Sequence, residues 1–142
     1  MIEQAAVRLL AGREHSRMEL RRKLSARSYA NDVVDQVLDD LIHRQLLSDE
    51  RFTEQYIASR QRRGFGWVRI KGELRERGVN DELISRYLSQ QDAGWMEALQ
   101  RTHDKKFGIA PPDTIKEKAR RVRFLEYRGF TGEQIKRFFL SI

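Results

Sequence analysis

The chain has 142 residues, with 28 Lys and Arg against 21 Asp and Glu, a formal net charge of +7 and no cysteine. The basic surplus argues for an acidic partner, whether nucleic acid, a nucleoprotein or an acidic protein surface, and the lack of cysteine excludes disulfides, thiolate catalysis and cysteine-ligated metal. No stretch approaches the roughly 18 to 20 apolar residues of a membrane span and no signal-peptide pattern opens the chain, so a soluble, cytoplasmic protein is expected.

Residues 2 to 12 put Ala6, Val7, Leu9 and Leu10 on one face of a helix ended by Gly12. Ser16 with Glu19 three residues on is a capping-box pattern for a second helix, with Met18, Leu20 and Leu24 as its apolar side and Arg21, Arg22 and Lys23 clustered between them. A turn from Ser28 to Asn31 leads to a third helix, in which Val33, Val34, Val37, Leu38, Leu41 and Ile42 recur at the helical period. Ser48 is the next cap, and Asp49 and Glu50 complement the positive end of a helix anchored by Phe52, Tyr56 and Ile57. Gly64-Phe65-Gly66 breaks that helix near Arg63.

After Trp67 comes a short helix with Ile70 and Leu74 on its buried side and Gly78 at the position a left-handed cap favours. Asn80 caps the next, which carries Leu83, Ile84, Tyr87 and Leu88. Asp92 is expected to open a third set, with Trp95, Met96, Leu99 and Phe107 on a helix ending near Gly108 and the two prolines, Pro111 and Pro112, in the following loop. Asp113 or Thr114 then caps a basic helix reaching Arg128, with Gly129 behind it; Thr131 with Gln134 opens a last helix bearing Ile135, Phe138 and Phe139.

The pattern repeats. Leu24, Tyr29, Val34 and Leu38 share their spacing with Leu74, Val79, Ile84 and Leu88, and with Leu125, Phe130, Ile135 and Phe139. The expected architecture is therefore all-α: three tandem three-helix repeats, 1–47, 48–91 and 92–142, forming an elongated, curved molecule. No strand pattern competes.

Charge follows the repeat. Residues 60–78 hold seven Lys and Arg (Arg60, Arg62, Arg63, Arg69, Lys71, Arg75, Arg77) against Glu73 and Glu76. Arg69 and Arg77 each have Glu73 one turn away, whereas Lys71 and Arg75 form a like-charged i,i+4 pair with no acid beside them on that helix, an arrangement that destabilises a helix. Lys116, Arg120 and Arg123 make a second such stripe. The middle helix of each set is basic while the last opens acidic, with Asp32 and Asp35, Asp81 and Glu82, then Glu133. A helix-turn-helix reader presents the start of its second helix to DNA, where carboxylates are repelled, so operator binding is disfavoured. Asp35, Asp39 and Asp40 read as the wet side of their helix.

Catalytic and metal-binding patterns do not emerge. Gly64-Phe65-Gly66 lacks the further glycine, lysine and strands of a phosphate loop, and His15, His43 and His103, far apart, read as surface or helix-end residues. Trp67 either stacks on a base or, more simply, covers a neighbouring core. No cofactor is expected, and the chain reads as a binding protein rather than an enzyme.

The words HSRMELRRKL (His15 to Leu24), LLSDERFTEQYIASRQRRGFGWVRIKGELRERGV (Leu46 to Val79) and FLEYRGFTGEQI (Phe124 to Ile135) resemble the bacterial RecX family of regulatory proteins across all three sets. The resemblance implies an all-helical, three-repeat modulator of the RecA recombinase. Such a protein binds in the groove of the RecA filament on DNA, blocks its extension or promotes its disassembly, and so depresses ATP hydrolysis, strand exchange and co-protease activity. Residues 60–78 match the family's basic central motif; Pro usually stands where this chain has Trp67, and the chain has fewer residues ahead of its first helix than some members. The expected partners are the RecA filament and single- or double-stranded DNA, met by a monomer through Arg60, Arg62, Arg63, Arg69, Lys71 and Arg75, with Arg21 and Arg22 before them and Lys116, Arg120 and Arg123 after. The other open reading is a sequence-independent DNA-binding protein that acts without RecA.

Overall fold

The computed structural model describes residues 1–89 and 94–142, and among these nine helices and no strand form. They are α1 (Ile2–Gly12), α2 (Arg17–Ser25), α3 (Asn31–His43), α4 (Asp49–Arg62), α5 (Trp67–Glu76), α6 (Asp81–Ser89), α7 (Trp95–Phe107), α8 (Ile115–Tyr127) and α9 (Gly132–Leu140). Asp92, expected to open the third set, and the 91/92 repeat boundary lie outside the described residues.

Local polar chemistry sets where the helices start. Ser16 Oγ accepts from the Glu19 N–H at 3.1 Å while the Glu19 carboxylate accepts from the Ser16 N–H at 3.2 Å. Thr131 and Gln134 make the same reciprocal pair at 3.1 and 2.9 Å. Ser48, Asn80 and Thr114 each take an N–H of the first turn, at 3.1, 2.8 and 3.0 Å, so the cap of α8 is Thr114 and not Asp113. A side-chain cap of this kind stabilises by about 1 kcal/mol.

Packing groups the described residues into two compact units, Met1–Tyr56 with Leu74–Ile84, and Ile57–Glu73 with Ser85–Ile142. The first has a core of Ala5, Ala6, Leu20, Leu24, Val34, Leu38, Leu41 and Leu47. In the second, Ala98, Leu99, Leu125, Phe130, Ile135 and Phe138 close together. Of the twelve apolar positions that define the repeat, ten are buried and Tyr29 and Phe139 are partly so. Val7, Met18, Val33 and Ile42, assigned to apolar faces from their spacing, are instead exposed, because a 3.6-residue period marks a stripe wider than these small cores cover.

The repeat also reaches the backbone. Ser28, Gly78 and Gly129, separated by 50 and 51 residues, all take positive φ, at 68, 81 and 101°. Each follows a middle helix and turns the chain into the next. Glycine does this freely; Ser28 does it against its own Cβ.

In the second unit the α4–α5 loop docks on the α8–α9 loop backbone to backbone. The Gly66 N–H donates to the Arg128 carbonyl at 2.8 Å and the Val68 N–H to the Gly129 carbonyl at 3.1 Å. A Cβ on Gly66 would stand 2.4 Å from the Gly129 carbonyl carbon and oxygen. Gly72, in the middle of α5, faces open space.

Three glycine changes therefore separate by sign in urea denaturation. Gly66→Ala is expected to destabilise by about 2–3 kcal/mol, as overpacking against an unyielding neighbour does. Gly72→Ala is expected to stabilise by about 0.5–1 kcal/mol through helix propensity. Relief of the left-handed side chain makes Ser28→Gly stabilising, by up to about 1 kcal/mol.

Candidate functional site

The Gly66–Gly129 contact arranges the arginines of the second unit. Phe65 sits between the two loop glycines, and three guanidinium groups gather on its ring: Arg60 at 3.9 Å from the centroid, Arg128 at 4.5 Å and Arg69 at 4.6 Å. Glu73 serves two of them, taking a two-pronged pair from Arg60 at 2.9 and 2.8 Å and one bond from Arg69 at 3.2 Å. Arg69 also donates to the Tyr127 carbonyl at 3.3 Å, and Arg128 to the Arg63 carbonyl at 3.2 Å. Burial, then the charges of Arg69 and Arg60, push the Arg128 guanidinium below its ordinary value. Three guanidinium groups thus gather around one aromatic ring, with Glu73 beside two of them. Arg128 lies outside the sequence-based site; the signal for it is Phe65, an aromatic between glycines that needs cover from a distant part of the chain.

The remaining cations of this unit divide by partner. Lys71 is half-buried, its stem lining a hollow of about 230 Å³ with Trp67, Leu88 and Trp95. Trp67 therefore covers a neighbour, as the simpler sequence reading has it. It is also the first residue of α5, where the N–H has no partner within the helix, so either Trp or Pro is accommodated there. Arg62, Arg63, Lys116 and Arg123 are exposed. Arg120 is not the open cation that the stripe implies: Glu117 one turn back holds it at 3.0 and 2.9 Å, and its guanidinium lies 5.1 Å over Phe107.

His103, expected at the surface or a helix end, is fully buried in mid-helix, 4.7 Å from the Phe138 ring and 5.4 Å from Phe107. Beside it the buried Arg121 donates to the Ala110 carbonyl at 2.8 Å and meets Glu117 at 3.2 Å, tying the loop after α7 to α8. These are structural roles.

In the first unit, Arg75 differs from its sequence reading. No acid stands one turn from it on its own helix, but Asp81 at the start of α6 holds it with bonds of 2.7 and 3.2 Å. Arg77 pairs with Glu19 at 3.5 Å and lies 4.9 Å over Tyr56. Arg21 grips Asp35 at 2.8 and 3.4 Å, and Arg17 bridges Asp35 and Asp39, so these carboxylates are partners and not merely a wet face. The Arg21 hydrogen bond is the main reason the Asp35 carboxyl is held low. Arg22 is exposed and donates weakly to the Glu76 carbonyl at 3.4 Å.

His15, also expected at the surface, is 1% exposed. Its Nδ1 lies 3.0 Å from the Arg13 carbonyl and its Nε2 2.8 Å from Lys23 Nζ. The carbonyl fixes Nδ1 as the donor, so the neutral ring accepts from the lysine. Burial above all, helped by the charges of Arg13 and Lys23, lowers its pKa. Among the described residues no group of three or more His, Asp or Glu is placed to hold a metal ion.

A lowered histidine contributes stability that is complete above its ordinary value of about 6.5 and is lost as pH falls toward the native one. Urea midpoints followed from pH 7.5 to pH 5 are expected to drop, and the drop is expected to shrink in His15→Gln, which cannot charge.

Against known proteins, the chain matches the three-helix domains of RecX in order: the first over residues 4–41, the second over 48–88 and the third over 96–139. It is 40% identical to the regulatory protein RecX of Halorhodospira halophila over 135 residues, covering 95% of this chain and 84% of that one. Identity to the regulatory protein RecX of Pseudomonas savastanoi pv. phaseolicola is also 40%, over 136 residues, with 96% and 88% covered. The crystal structure of RecX from Lactobacillus salivarius superposes with a TM-score of 0.81 at 20% identity, covering 99% of this chain and 93% of that one, a likeness of fold. No described helix is long and apolar enough to cross a membrane. With all three domains matched in order along one chain, this protein belongs to the RecX family of regulatory proteins.

Proposed function

We propose that the chain regulates the RecA recombinase by binding its filament on DNA, blocking extension or promoting disassembly and so depressing ATP hydrolysis, strand exchange and co-protease activity. The observation that carries this reading is the ordered match to three RecX domains together with about 40% identity to regulatory proteins of that name over nearly the whole chain. The chain acts by binding and not by catalysis, as a cytoplasmic monomer without a cofactor. Its three repeats, taken as 1–47, 48–91 and 92–142, meet successive parts of the filament, and each engagement raises the effective concentration for the next. Arg62, Arg63, Lys116 and Arg123 enter such an interface as exposed cations and Lys71 as a half-buried one, while Arg21, Arg60, Arg69, Arg75 and Arg120 enter it already engaged with a carboxylate.

The decisive measurement is RecA's DNA-dependent ATPase titrated with this protein at low ratios, which is expected to fall. If the ATPase is unaffected while bare DNA binds tightly, the chain is a sequence-independent DNA-binding protein and RecA is not its target. In a Lys71→Ala/Arg75→Ala variant the concentration for half-inhibition is expected to rise about tenfold, or about 1.4 kcal/mol. Its helicity and melting should change little, since the Arg75–Asp81 pair is solvent-exposed. Undiminished inhibition by that folded variant would remove both residues from the interface.

A further inference from the structure

Below the Phe65 cluster, still within the second unit, lies a shallow groove of about 200 Å³ lined by Arg62, Arg63, Arg101, Lys105, Lys106 and Arg128. Its floor is made by Gly64, Thr102 and Phe124, and no acidic residue is among the described residues that line it. Arg101 and Lys105 stand one turn apart on α7, another like-charged pair of the kind that weakens a helix. Both are exposed, as are Lys106, Arg62 and Arg63.

The walls are held in place. Gly64 takes φ +87°, and a Cβ there would stand 2.4 Å from Thr102 Oγ1, so the end of α4 is pressed directly onto α7. The Thr102 hydroxyl is spent within its helix, donating to the Ala98 carbonyl at 2.6 Å. Arg128 is pinned between Phe65 and Phe124, at 4.5 and 5.3 Å from their centroids, and by its bond to the Arg63 carbonyl. The floor of the groove and Arg128 are therefore held in place, and the five exposed cations stand around them.

We propose that this groove binds the phosphodiester backbone of a single nucleic-acid strand. Three features favour that ligand over an acidic protein segment. A protein partner binds through an apolar or aromatic anchor seated in a pocket, and the only large apolar side chain here, Phe124, already has Lys106 at 5.5 Å and Arg128 at 5.3 Å over its ring. Six cations with no internal carboxylate match a uniform polyanion, and guanidinium forks suit phosphate oxygens. Among the described residues the lining offers cations and no Asn, Gln, Asp or Glu, a composition suited to phosphate contacts, which carry no sequence information, so binding independent of sequence is expected. Burial first, then the charges of Arg69 and Arg60, hold the Arg128 pKa low, and a bound anion relieves the second of these.

The test uses the full chain, no recombinase, and fluorescence anisotropy with two labelled single-stranded oligonucleotides, one oligo-dT and one of mixed sequence. In Arg101→Ala/Lys105→Ala, affinity at low salt is expected to fall about tenfold or more for both probes. The slope of log affinity against log salt is expected to become shallower by about 1.4, or about 0.7 for each of the two phosphates no longer neutralised. Arg8→Ala, which removes an exposed cation from α1, supplies the reference for a general loss of charge. Circular dichroism confirms that the double variant is folded; should it not be, Arg101→Gln/Lys105→Gln replaces it. Unchanged affinity and slope, a loss confined to one probe, or a loss no larger than that of Arg8→Ala would overturn the assignment. So would loss of binding to a poly-glutamate peptide with oligonucleotide binding intact, which would give the groove to an acidic protein. Because RecA is absent from the measurement, its outcome stands apart from that of the ATPase titration.

Discussion

The second unit depends on two glycines meeting without side chains between them. Gly66 and Gly129 bring two loops into direct backbone hydrogen bonding, and a single Cβ on either would intrude to 2.4 Å. From that contact follow the position of Phe65, the gathering of Arg60, Arg69 and Arg128 on its ring, and the fixing of one side of the basic groove. Like-charged guanidinium groups do not assemble unaided; the aromatic face and Glu73 offset part of their repulsion, and the backbone seam holds the remainder. Electrostatic surplus is thus built on steric necessity.

Charge elsewhere is handled differently. Around α2 and α5 the arginines of the first unit face carboxylates: Arg21 with Asp35, Arg17 with Asp35 and Asp39, Arg75 with Asp81 and Arg77 with Glu19. Most of these pairs are at least partly in water, where each adds little to stability. What they do is orient. A guanidinium held by a two-pronged pair presents its remaining N–H groups in a fixed direction, whereas a lysine such as Lys71 swings on its stem.

The helices and their order are legible in the sequence because their causes are local. Ser16 with Glu19 and Thr131 with Gln134 are complete start signals within four residues, and the spacing Leu74, Val79, Ile84, Leu88 carries its own periodicity. Gly78 declares its left-handed turn by composition, while Ser28, in the same conformation, does not, since its side chain argues against it. The two buried histidines escape a sequence reading for a related reason. Nothing adjacent to His15 announces that Lys23, two turns into the next helix, donates to its ring, and nothing near His103 announces Phe138. Arg75 looks unpaired in the sequence because its carboxylate lies beyond a turn, six residues on, outside the i,i+4 rule used to judge it. The basic stretch 60–78 is visible as a concentration of charge, but Arg101, Lys105 and Arg128 join it only through folding.

The Arg75–Asp81 pair has a consequence for what kind of surface it can meet. An anion arriving at Arg75 finds its Nε and Nη2 already held by Asp81, whose carboxylate faces the newcomer with the same sign and repels it. A uniformly negative ligand meets that repulsion at once. A surface that offers a carboxylate to Arg75 and an ammonium or guanidinium to Asp81 exchanges one pair for two and strands no charge. At this pair a surface of alternating sign therefore loses less than a uniformly negative one.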